Sequence, residues 1–237
     1  MYGVRSGREE KMRSYNVAAR MAVRLAVVTG MVWGCGGKGK ERAKEKSAEV
    51  RSDVKESVPE LDKAERCMEG LMRDPKEAFH LSTVRKDDTA APFTSEAEFT
   101  PETVEGTTNW GTGQKAQQVS SVHSDVNAWG LAVNSLTMRV STVNGDFRIA
   151  QPTVVAAGAD AVNGYDTVKY DFDTERLPEA EKARIAVTLL AKDFNVAGSA
   201  WIMKDTKCMV KFVSDDKSTS KSGMAGATHL EGSISRR

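Results

Sequence analysis

Hydrophobic and polar positions change period several times along the chain, and each change marks an element. Leu61, Ala64, Met68, Leu71 and Met72 recur at helical spacing, which makes one face of a helix apolar. Ser57 can cap that helix, with Pro59 in its first turn and Glu60 three residues after the cap. It should end near Arg73, ahead of Pro75, with Cys67 beside its apolar face. From Lys76 the period falls toward two. Residues 78–84 read as a strand, and 96–100 and 103–108 as two more, turned at Pro101. Alternating charged and apolar side chains give these strands a wet side and a dry side.

The longest run at helical spacing covers 121–143. Val122, Val126, Trp129, Val133, Leu136, Val140 and Val143 alternate steps of four and three, with Ser124 or Asp125 available as cap. Gly130 within the run, and no flanking charge pattern, favour packing inside the molecule over a coiled coil. Its last turn, 137–143, reads equally well as a strand entering a hairpin at Asn144 and Gly145. A stronger hairpin joins 153–162 to 165–173 through Asn163 and Gly164, a pair suited to a type I′ turn. Val168, Tyr170 and Phe172 fall on one side of its second strand, and Thr167, Lys169 and Asp171 on the other. Pro178 and Glu179 open another helix, with Ala180, Ala183, Ile185, Leu189 and Leu190 on its apolar side. A further hairpin pairs 199–203 with 208–213 about 204–207. The Ser-, Lys- and Gly-rich run 215–226 reads as a mobile loop, and 228–234 as a final strand.

Many antiparallel strands, few helices and no β-α-β alternation predict an α+β fold. The expected layout is a curved antiparallel sheet, a half-barrel, with two or three amphipathic helices on its concave face. No internal repeat is evident.

The first 56 residues follow other rules. Arg5, Arg8, Lys11, Arg13, Arg20 and Arg24 stand against Glu9 and Glu10, then 25–33 are uncharged and mostly apolar, then Gly34, Cys35, Gly36 and Gly37 follow. A charged start, a short apolar run and small residues describe a secretory signal. Nine residues are too few to span a bilayer, which needs about 20. Val32-Trp33-Gly34-Cys35 resembles the lipobox of bacterial lipoproteins, although Trp33 stands where that motif usually has a small residue. The resemblance implies that 1–34 is a signal peptide and that Cys35 is lipidated and becomes the new N-terminus. Met12 and Met21 are alternative starts, and an N-terminal helix with Cys35 as an ordinary buried thiol is the bland alternative. Residues 35–56 read as a charged, flexible tether, because twelve of the twenty residues 38–57 are charged with interleaved signs. A single domain is then expected over 57–237.

Composition changes this picture in two ways. The 237 residues are 40% hydrophobic and 28% charged, which suits a globular domain, and the net charge of +1 supplies no basic field for nucleic acid. The first 34 residues hold six basic and two acidic side chains, so without them +1 becomes −3. With Cys35 lipidated, Cys67 and Cys208 form an even pair in an oxidising compartment, and a disulfide between them is expected. Two free buried thiols are the alternative.

Catalytic patterns are missing. There is no Gly-x-Ser-x-Gly, and His80, His123 and His229 are scattered. The glycine-rich run 106–113 lacks the lysine of a phosphate-binding loop. Asp171, Asp173, Asp215 and Asp216 lack calcium-loop spacing and read as solvated carboxylates. No enzyme, metal or cofactor is expected. What remains is apolar: Trp129, Met138, Tyr170, Phe172, Phe194, Trp201, Met203, Met209 and Phe212 are either plain core or the lining of a groove between helix and sheet.

Val32-Trp33-Gly34-Cys35, the hairpin over 160–173, and 198–202 with 210–213 together resemble the half-barrel lipoproteins. That group includes the LolA and LolB carrier and receptor proteins and the mycobacterial LppX/LprG-type lipid carriers. The resemblance covers 57–237 and implies an apolar groove for acyl chains, though it transfers no ligand-contact residue. The expected function is a membrane-anchored periplasmic lipoprotein that binds or carries a lipid or other amphipathic ligand. The alternative is a structural or interaction lipoprotein of the cell envelope with a filled core. The expected partners are the membrane, through the lipid on Cys35, and no nucleic acid. Gly36, where an Asp would mark retention, implies the outer membrane by resemblance to lipoprotein sorting.

Overall fold

Leu61, Ala64, Met68 and Met72 are all buried along one side of the first helix, as their spacing predicts. The computed structural model describes residues 58–88, 90–111, 113, 115–137 and 143–237. The signal segment, Cys35, the tether, Met138 and the ambiguous turn at 138–142 lie outside the described residues. Four helices are described: α1 (Leu61–Arg73), α2 (Val126–Thr137), α3 (Val143–Ala150) and α4 (Glu179–Thr188). The strands are β1 (Phe79–Asp87), β2 (Phe93–Phe99), β3 (Thr103–Asn109), β4 (Gln117–Val122), β5 (Val155–Val162), β6 (Tyr165–Asp173), β7 (Ala191–Met203), β8 (Met209–Ser220) and β9 (Ala225–Arg236).

These nine strands form one open antiparallel sheet in the order β4-β3-β2-β1-β9-β8-β7-β6-β5. Two meanders, β1–β4 and β5–β9, are thus sewn together where the last strand returns beside the first. The class is α+β. Register puts Leu81 opposite Ile234, Gly232 opposite Phe212, and Phe212 opposite Ala200, so these side chains share one face. That face is dry: Leu81, Ile234, Phe212 and Ala200 are all fully buried. Helices α1, α2 and α3 cover it. Trp129 of α2 meets the Phe99 ring edge-on at 6.0 Å, and Phe147 of α3 meets Phe172 at 5.7 Å and Phe212 at 5.8 Å. The opposite face carries Lys169, Trp201, Lys211 and Glu231.

Two glycines make room for these rings. A Cβ on Gly232 would lie 2.5 Å from the Phe212 ring, and one on Gly198 would lie 2.8 Å from the Phe172 ring. At the β5–β6 turn, Asn163 and Gly164 take φ of 57° and 81°, the left-handed pair that a type I′ turn requires. Cys67 of α1 and Cys208, just before β8, form a disulfide with Cα atoms 5.0 Å apart.

Several expectations are corrected. The continuous helix over 121–143 does not form, because Val122 belongs to β4 and pairs with Thr103. Helix α2 starts only at Val126, which is exposed, and Asp125 Oδ1 caps it by accepting the Ala128 N–H at 3.0 Å. Asn144 and Gly145 lie in α3, not in a hairpin. The run 215–226 is not a loop: β8 continues to Ser220 and β9 begins at Ala225. Its polar side chains are tolerated because most of that arm is exposed, while pairing with Ala191–Asn195 and with β9 satisfies its backbone. Thr167 is buried rather than on the wet side, its hydroxyl donating to the Asp160 carbonyl at 3.0 Å. Among the described residues no helix is long and apolar enough to cross a membrane.

Candidate functional site

At one end of the sheet, β7 begins, β8 ends and β9 begins, and α3 approaches from the dry side. Helix α4 stops there because Leu190 adopts a left-handed φ of 54°, turning the chain straight into β7. The helix buries none of its residues fully. Leu189 and Leu190 therefore project from the corner, and Leu190 is 58% exposed. Met224, at the tip of the β8–β9 hairpin, is 73% exposed. Together with Ile149, Phe194 and Val196 they wall a cleft of about 500 Å³. Sites for small organic ligands run from about 300 to 1,000 Å³, so the size fits a ligand.

The floor of this cleft is polar. Asp146 from α3 and Asp216 from β8 line it and are hydrogen-bonded to each other. Two carboxyl groups in such contact share a proton, since both cannot ionise cheaply. Burial, then the charge and hydrogen bond of Asp216, push Asp146 up to about 8. Asp216 is also raised, by burial first, while hydrogen bonds from Asp146 and Ser214 pull the other way. Ser214 Oγ donates to Asp216 Oδ1 at 3.1 Å. Arg85 lowers both carboxyls, and its Nε is held by Asp87 at 3.0 Å; Thr228 Oγ1 donates to the same carboxylate at 2.9 Å.

Behind Asp146 stands Glu65 of α1, whose charge raises the Asp146 value further. Glu65 is 2% exposed, and burial followed by the charge of Glu69 takes it to about 8. Its Oε2, like Thr83 Oγ1, has no hydrogen-bond partner among the described residues. Both side chains line a pocket of about 10 Å³ closed by Met68, Met72 and Leu81, room for one water.

A pH dependence follows. The folded state holds the Asp146 proton up to about 8, against 3.8 for the free side chain, so the stability that this protonation confers is full below pH 3.8 and is lost as pH rises through 8. Urea unfolding should therefore give a lower midpoint at pH 8 than at pH 5. Asp146→Asn should shrink that difference, leaving the share due to Glu65 and Asp216; an undiminished difference would show that Asp146 does not titrate in this way.

The residues singled out from sequence fall in several places. Trp129, Tyr170, Phe172, Met203, Met209 and Phe212 are buried, while Phe194 contributes to the cleft wall. Met203 also borders a second cleft of about 310 Å³ with Leu71, Phe79, Tyr165 and Arg236. Trp201 lies on the opposite face, between the ammonium groups of Lys169 at 5.5 Å and Lys211 at 5.2 Å, its Nε1 donating to Asp160 Oδ2 at 2.9 Å. The four aspartates do not gather. Asp171 accepts from Ser199 at 2.6 Å, Asp173 caps a short turn, Asp215 meets His229 at 2.8 Å, and Asp216 alone enters the cleft. His80 is held between Glu96 and Glu98 at 2.6 and 2.9 Å. No three acidic, histidine or cysteine side chains among the described residues converge where a metal ion would sit.

Asp216 is thus a correction to its reading as a solvated carboxylate. The signal was present: the alternation Val210, Phe212, Ser214, Asp216 carries the dry face two steps past the expected strand end. Asp146 had no comparable signal, because its partner lies on a distant strand. Neither a family model nor a curated protein matches this chain in sequence.

Proposed function

We propose that this protein is a non-enzymatic carrier or receptor of the bacterial cell envelope, tethered by a lipid on Cys35 and facing the periplasm, which holds an amphipathic ligand in the cleft between α3, the α4–β7 corner and the β8–β9 hairpin. One observation carries the reading: apolar walls with an exposed rim at Leu190 and Met224 stand over a polar floor at Asp146 and Asp216. An amphipath has the same division. An open sheet with helices on one face is in keeping with a half-barrel whose helices occupy the concave side. The Cys67–Cys208 disulfide is in keeping with an oxidising compartment.

A second reading has its own support. Trp129, Phe172, Met209 and Phe212 are almost completely buried, so the space between helices and sheet is filled with side chains. A structural or interaction lipoprotein needs no more than that. Native mass spectrometry of the full chain separates the two. Carriage is expected to show as a bound amphiphile mass; a clean apo mass, with no uptake of a hydrophobic dye, would favour the filled-core reading.

A further inference from the structure

The floor of the cleft has a charge imbalance that Lys217 in its lining offsets only in part. Asp146 and Asp216 share a hydrogen bond there, and among the described residues the charged groups around them are Glu65 from α1, Arg85 with its partner Asp87 from β1, and Lys217, which lines the cleft. Asp215, next to Asp216 in the strand, lies on the other face and bonds His229. Arg85 is committed in part to Asp87 at 3.0 Å. Glu65, 2% exposed, lines the separate small pocket closed by Met68, Met72 and Leu81, and reaches the floor only through its charge on Asp146. Among the described residues, carboxyl groups therefore outnumber cations around the floor. Buried carboxylates are neutralised either by protons or by an incoming cation, because an uncompensated buried charge is too costly.

On the carriage reading above, we propose that the ligand is an amphipathic amine, with an alkyl chain against Ile149, Leu190, Phe194 and Met224 and an ammonium group between Asp146 and Asp216. An ammonium brings three donors and one positive charge to two carboxyl groups, a charge-assisted arrangement stronger than neutral hydrogen bonding. A phosphate or carboxylate head would instead meet like charge. The exchange balances: the ammonium enters with its positive charge, the proton shared by Asp146 and Asp216 leaves to buffer, and the charge of the floor with its ligand is unchanged.

The test is isothermal titration calorimetry of the full, disulfide-bonded chain at pH 7, below micelle-forming concentrations, with dodecylammonium chloride, sodium dodecanoate and dodecyl maltoside. Dodecylammonium should bind about tenfold or more tighter than the other two. Its heat should differ between phosphate and Tris buffers by the ionisation of roughly one proton, as linkage requires. Asp216→Asn and, separately, Asp146→Asn should erase both the preference and the proton release, while an unchanged circular dichroism spectrum and a cooperative urea transition show that each variant is folded. If dodecanoate or the maltoside binds as tightly as the amine, the amine inference falls and carriage stands. Absence of binding by all three overturns both.

Discussion

Phe147→Ala is expected to lower the free energy of unfolding by about 3–5 kcal/mol, the usual cost of emptying a buried aromatic site. Phe147 is fully buried and meets both Phe172 and Phe212 edge-on, so one ring anchors α3 to two strands. The helix is also held by Ala150, which is fully buried, and by the Arg148–Asp62 ion pair to α1 at 3.7 Å. Asp146 bonds Asp216 on one side, and beyond the helix Gln151 ties down the start of α1 by accepting the Leu61 N–H at 2.8 Å and donating to the Pro59 carbonyl at 3.0 Å. Because α3 carries both Asp146 and Ile149, the variant should also lose ligand uptake at the cleft. Urea unfolding measures the first effect. A loss below about 1.5 kcal/mol, the range of a volume-conserving swap, would show that α3 does not pack as described.

The paired replacement Cys67→Ala with Cys208→Ala should cost a similar amount, about 4–5 kcal/mol, since the bridge spans a sequence separation of 141 residues and constrains the unfolded chain accordingly. Replacing both cysteines avoids a stray thiol. Set against total stabilities of about 5–15 kcal/mol, this leaves a marginal fold. The bridge joins the middle of α1 to the entry of β8, so its loss should loosen α1 first. Denaturant midpoints of the oxidised protein and the double variant decide the matter. Equal midpoints would contradict a stabilising bridge.

Local chemistry was legible in the sequence wherever short-range rules decide the outcome. Asn163 and Gly164 place the β5–β6 turn because few other residues accept two successive left-handed φ values. The spacing of Leu61, Ala64, Met68 and Met72 gives α1 and its buried side. Long-range pairing was not legible. Val122 continues a helical period, yet cross-strand bonding to β3 draws it into β4, and the helix begins four residues later. The polar run after Val213 looks like a loop because its composition is that of a loop. It becomes a strand because β7 and β9 flank it on both sides and satisfy its backbone. The cleft shows the same limit. Leu189 and Leu190 read as the buried side of a helix, but that helix ends at the corner and leaves Leu190 exposed. Asp146 and Asp216 come together only through the docking of α3 on β8, which no local pattern specifies.

The cleft itself is the claim on which the functional reading depends. Native mass spectrometry of the wild type beside a Leu190→Glu, Met224→Glu variant tests it directly, after both have been incubated with dodecyl maltoside and then desalted. Both substituted positions are exposed, so the variant should fold normally, while its two carboxylates spoil the apolar rim. The expected result is one retained amphiphile on the wild type and none on the variant. Equal retention by both proteins, or none by the wild type, would contradict a ligand site at this end of the sheet.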